Sequence, residues 1–146
     1  METSGVMLTI SAVISGLIAL LHGVLAIRPG LWRYVAPGGT SAVREMAIQG
    51  STGTMMATVA LAVVFAVWTL YALSGAGAIG RLPLLRTGLI GIGVIFLLRA
   101  LFIVPEARMV LVEGYPVRFV LFSGISLVAG VLYLVGAFTL RQPTAA

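Results

Sequence analysis

"GIGVIFLLRALFIVP", residues 91–105, is apolar from end to end except for one arginine, Arg99. A guanidinium stays charged at any physiological pH, so a stretch like this carries one only where something offsets its desolvation. The stretch belongs to a longer apolar run, residues 84–104, and three further runs of similar length cover about residues 5–27, 51–73 and 119–140. Each is long enough to cross a bilayer as a helix, which takes roughly 20 apolar residues. The runs are continuous and show no alternation, so they read as helices and not as barrel strands. Breakers separate them: RPGLWRYVAPGG (28–39), SGAGAIGRLP (74–83), PEARMVLVEGYP (105–116) and RQP (141–143). The expected fold is all-α and integral to a membrane, a single four-transmembrane-helix bundle over residues 1–146.

Composition supports that class. Hydrophobic residues make up 60% of the chain and charged residues 9%, against roughly 25% charged in soluble domains, and the mean hydropathy is +1.16. Cysteine is absent, which excludes disulfides, thiol redox chemistry and thiolate metal sites. All nine basic residues are arginines, scattered with no basic run. Nucleic acid is therefore not an expected partner. Richness in Ala, Gly, Val, Leu and Arg without lysine points to a GC-rich bacterial genome and hence a bacterial inner membrane. The first run follows the acidic METSG and reads as a retained signal-anchor helix, not a cleaved signal peptide.

An even number of spans puts both termini on one side, together with the loop at 74–83. That side holds Arg81, Arg86 and Arg141; the other holds Arg28, Arg33, Arg44, Arg108 and Arg118. The arginine count favours the second side as cytoplasmic. The habit of small bacterial membrane proteins to keep both termini inside opposes it. The expectation adopted is that both termini are cytoplasmic.

Lipid-embedded helices associate through small residues that let backbones approach. Such seams occur in all four runs: Ser11, Ser15, Ala19, Gly23 and Ala26; Ser51, Thr54, Thr58, Ala62, Ala66 and Thr69; Gly88 and Gly91; Ser126, Gly130 and Ala137. Arg99 lies eleven residues after Gly88, about 20° past three full turns, so it is expected on the glycine face, toward the bundle. It stands five residues before the end of its run, about 7–8 Å deep by helical rise.

Other polar groups reach the same depth. His22 lies five residues before the end of the first run, beside Gly23. The second helix is expected to start near residue 41, because TSAVREMAIQG (40–50) has no breaker before Gly50 and opens on a Thr/Ser cap. Along it Glu45, Gln49, Thr52 and Met56 recur at spacings of four, three and four, a polar face descending into the membrane. Glu45 and Gln49 are expected to look toward Arg99, and Arg44 toward the headgroups. A buried arginine needs a carboxylate, a carbonyl or an anionic ligand. Glu45 and Glu106 are the candidate partners; if the helix continues through Pro105, Glu106 lies nearly in line with Arg99, seven residues on, and Pro105 can instead end the helix.

The resulting ligand-binding candidates are His22, Glu45, Gln49, Thr52, Arg99 and Glu106. They outline a polar pocket suited to an amphipathic small molecule, its acidic or carbonyl head on Arg99. The expected function is a ligand- or partner-binding module whose partners are membrane lipids, that amphipathic molecule, another protein or a second copy. One alternative is a small membrane enzyme acting on a lipidic or quinone-like substrate, with His22 and Glu45 as acid and base. Another is a structural accessory or immunity subunit, in which Arg99 and a glutamate merely clamp two helices. A single histidine and no aspartate leave too few ligands for a metal site, and no cofactor is expected.

Overall fold

The computed structural model describes residues 3–31, 52–114 and 116–140. Over these residues the chain is helical, with four stretches long and apolar enough to cross a membrane: Thr3–Ile27, Thr52–Gly75, Leu85–Glu113 and Arg118–Thr139. The elements are α1 (Thr3–Ile27), a 3-10 turn (Pro29–Leu31), α2 (Thr52–Gly75), α3 (Leu85–Ala100), α4 (Ile103–Glu113) and α5 (Arg118–Thr139). The expected beginning of the second helix near residue 41 falls outside the described residues.

One boundary differs in kind from the expectation. PEARMVLVEGYP, read as a loop, is mostly helix α4. Pro105 occupies the third position of that helix, in the first turn, where a backbone N–H has no intrahelical acceptor to lose. Glu106 N–H closes the turn onto Phe102 O at 3.0 Å, and good helix formers come after it. What the proline does break is the junction with α3. Lacking an N–H it cannot bond Leu101 O, and its ring crowds that carbonyl. At the junction Leu101 N–H is shared between Leu97 O (3.2 Å) and Leu98 O (3.3 Å), while Phe102 N–H reaches only Arg99 O (3.3 Å). Helix α4 ends where Gly114 turns left-handed (φ 70°) and its N–H bonds Met109 O, a conformation that suits glycine.

α1 packs most extensively on α2, and α3 on α5; contacts of α1 with α5 and of α2 with α3 join the two pairs. The buried stripes repeat at alternating spacings of four and three. On α5 they are Phe119, Ser123, Ser126, Gly130, Tyr133 and Ala137; on α1, Ser4, Leu8, Ser11 and Ser15; on α3, Leu85, Leu89, Ile92 and Phe96. That repeat keeps one face of each helix toward its neighbours over several turns. Leu8, fully buried, wedges between α2 and α5: a Cβ at Gly75 or at Gly136 would come within 2.6 Å of its side chain. α3 and α5 cross backbone to backbone, since a Cβ at Gly93 would stand 3.2 Å from Gly130 O. The close approach on α3 is thus at Gly93, with Gly88 against Tyr71, whereas Gly91 faces open space.

The centre of the bundle has one polar junction. Tyr133, fully buried, donates its hydroxyl to Trp68 O (3.0 Å) and shares a 2.8 Å hydrogen bond with Ser15 Oγ. This ties α5 to α1 and α2 at once. Around it the rings of Phe65, Trp68, Phe96 and Tyr133 pack in sequence, Trp68 edge-on to Phe96 at 5.1 Å and Phe96 stacked on Tyr133 at 5.8 Å. Such ring pairs contribute about 0.5–1.5 kcal/mol each beyond the area they bury.

Candidate functional site

Arg99 continues the buried stripe of α3, three residues past Phe96. Its guanidinium reaches across to α5 and back to α4. Nη1 donates to Ser123 Oγ at 2.8 Å, and Nη2 pairs with Glu106 Oε1 at 3.0 Å. The Ser123 hydroxyl in turn donates to Glu106 Oε2. The three side chains therefore close a ring in which every member bonds the other two. The Phe102 ring lies beside it, 5.7 Å from Arg99 Cζ.

Each position follows from local sequence. Ser123 stands on the four–three stripe of α5, five residues after Arg118, about 7–8 Å from the start of the helix by its rise. This matches the depth expected for Arg99. Glu106 comes just after the proline break, in the first turn of α4. Ser123 is fully buried, whereas the Glu106 and Arg99 side chains are 13% and 42% exposed. The carboxylate is therefore inside and the arginine spans the wall.

Of the six expected ligand-binding residues, the structure brings Arg99 and Glu106 together. Glu45 and Gln49 lie outside the described residues. Thr52 is the exposed first residue of α2. His22 is half-buried with partners of its own: its Nδ1 bonds Ile18 O at 2.8 Å and its ring lies 5.5 Å from Phe65. A carbonyl only accepts, so Nδ1 carries the proton and Nε2 is left as the acceptor. Ser123 escaped the sequence reading, although its spacing from Ser126 and Gly130 puts it on the seam recognised there.

A guanidinium offers five N–H donors. Among the described residues Ser123 and Glu106 take two of Arg99's donors, and the group is partly open to its surroundings. Charge at this end of the bundle is unbalanced: Arg28, Arg99, Arg108 and Arg118 stand against Glu106 and Glu113 among the described residues. No group of three His, Cys, Asp or Glu that could hold a metal occurs among the described residues. No family model, curated protein or solved structure matches this chain.

Proposed function

We propose that the protein is a ligand-binding module of a bacterial inner membrane, with both termini cytoplasmic. Its ligand is an amphipathic molecule whose acidic or carbonyl head meets Arg99 while its tail lies among the helices. One observation carries this: among the described residues Ser123 and Glu106 take two of the guanidinium's five N–H donors, and the side chain is 42% exposed within an apolar stretch. In hydrocarbon an unmet donor is costly, and a head group with an anionic or carbonyl oxygen satisfies it. The local excess of arginine over glutamate favours an acidic head. Glu106 then sets the angle of the guanidinium and limits the net charge to be neutralised.

A second reading has one observation in its favour. The Nδ1–H tautomer of His22 leaves Nε2 as a base, which suits an enzyme acting on a lipidic substrate with Glu45 as partner.

Native mass spectrometry of the purified full chain tests the first reading. A specific amphipathic molecule with an acidic or carbonyl head is expected on the wild type. It should be missing from both R99L and R99L/E106Q, and retained by H22Q. A wild type that carries no such molecule, or an R99L variant that keeps it, overturns the binding role. Loss from H22Q with retention by R99L would move the ligand to the histidine.

A further inference from the structure

The opposite end of the bundle holds a second polar feature. A cavity of about 270 Å³ opens between the loop preceding α3, the first turn of α3 and the end of α5. Leu82, Leu84, Leu85 and Leu140 form its apolar wall; Arg81, Arg86 and Thr87 supply its polar groups, and no carboxylate of the described residues lines it.

The rim is built and held. Buried Ser74 accepts a hydrogen bond from Leu82 N–H (2.9 Å) and donates to Gly80 O (3.0 Å), bracketing Arg81 on both sides. Tyr71 Oη donates to Pro83 O at 3.3 Å. On the far wall Arg86 lies over the Phe138 ring, Cζ 5.8 Å from its centroid. A cation–π contact of this kind uses none of the guanidinium's N–H donors and leaves them for an anion. Helix α3 starts from Leu84, whose side chain gives no cap. The first intrahelical bond closed there is Gly88 N–H to Leu84 O at 2.8 Å. The N–H groups of Leu85, Arg86 and Thr87 thus have no acceptor among the described residues, and Leu85 is only 7% exposed. Two exposed arginines, a hydroxyl and the first amide donors of α3 border one hollow.

Its level in the membrane is set by the spans. Three of them end around it: α2 at Gly75, α3 at Leu85 and α5 at Thr139. By length and composition, these span ends fall at the level of the head groups. The volume falls below that of pockets for drug-sized ligands, roughly 300–1,000 Å³, so it suits a head group and not a whole lipid.

We propose that this cavity seats the phosphate of an anionic phospholipid, between Arg81 and Arg86 and over the α3 amides, with the glycerol end of its chains on Leu82, Leu85 and Leu140. Inorganic phosphate shares the anionic chemistry, but it has no use for a wall of leucines. Basic pockets between transmembrane helices hold anionic head groups by this combination. The site is separate from Arg99 and stands whether or not that residue binds a ligand.

The test is a native mass spectrometry titration of the full chain in detergent with phosphatidylglycerol, with phosphatidylcholine of the same chains, and with inorganic phosphate as competitor. Phosphatidylglycerol should bind the wild type at least about tenfold more tightly than phosphatidylcholine, as two arginines near a head group allow. R81Q/R86Q should lose that preference, while R108Q at the opposite end should keep it. Both substituted arginines are exposed, so the double variant is expected to fold; should it not, R81Q and R86Q are measured singly, each with a partial loss. Equal binding of the two lipids, or a preference that survives in the arginine variants, overturns the proposal. So does inorganic phosphate that competes at millimolar concentration, which would make this a site for the free anion.

Discussion

A charged side chain in an apolar segment is tolerable only when its hydrogen-bonding groups are met, and Arg99 shows how few residues that takes. Among the described residues its partners are one carboxylate and one hydroxyl, and the hydroxyl also serves the carboxylate. Most other hydroxyls here do nothing comparable. Those of Thr9, Ser11, Thr58, Thr69 and Ser126 donate to the carbonyl four residues back in their own helix, which satisfies the group without joining helices. Among the described residues the hydroxyls of Ser15, Ser74 and Ser123, with those of Tyr71 and Tyr133, reach beyond their own helix. Removing one member of a buried pair strands the other, whereas removing both is often near neutral. R99L should therefore lower stability by about 2 kcal/mol, because Glu106 is left inside with only Ser123. R99L/E106Q should recover most of that loss. Tryptophan-fluorescence unfolding in detergent measures both, and equal destabilisation of the two variants would mean that the pair is not coupled.

At the scale of elements, the backbones of α3 and α5 approach as closely as two glycines permit. A Cβ at Gly93 would stand 2.8 Å from Leu134 Cγ and 3.2 Å from Gly130 O, and a backbone cannot step aside as a side chain can. G93A should destabilise the bundle by about 1–3 kcal/mol, the usual cost of overpacking. G91A, where nothing lies within 4 Å, should be neutral or gain up to about 1 kcal/mol from helix propensity. Unfolding of the two variants side by side checks this, and a reversed order would place the helix crossing at Gly91. The same contrast marks how far the sequence is legible. That four apolar runs are helices was plain from length and continuity. Arg99 extends the stripe of Leu85, Leu89, Ile92 and Phe96 with a side chain 42% exposed, and that stripe, more than the glycines, marks its face in the sequence. Three glycines within six residues cannot all face one partner, and nothing in their spacing says which one does. The Arg99–Glu106 pair was legible as a spacing of seven. The path of the chain between them was not, because a proline can either end a helix or begin one, and the residues on its C-terminal side decide which. Ser123 was hidden for another reason: a serine on a small-residue seam looks like packing until the residue opposite is known.

For the whole molecule, the chain sorts its polar chemistry to the two ends and leaves one tyrosine–serine junction between them. Direction in the membrane then decides what each end meets. By count alone the arginines favour the Arg99 end as cytoplasmic, with Arg28, Arg33, Arg44, Arg108 and Arg118 there against Arg81, Arg86 and Arg141. Two of those five, Arg108 and Arg118, stand close in sequence to members of the Arg99–Glu106–Ser123 ring, in α4 and at the start of α5. Arg81 and Arg86 line a cavity fitted to an anionic head group, and the cytoplasmic leaflet is the one with a negative surface potential. Both termini are accordingly expected in the cytoplasm. A green fluorescent protein fused to the C-terminus should fluoresce in a bacterial host, and alkaline phosphatase fused at the same point should be inactive. Fusions at residue 78, in the loop between α2 and α3, should behave as the C-terminal ones do, because an even number of spans separates the two points. Active phosphatase at both points would invert the bundle in the membrane. The Arg99 end would then open to the cytoplasm, and the ligand it binds would have to come from there.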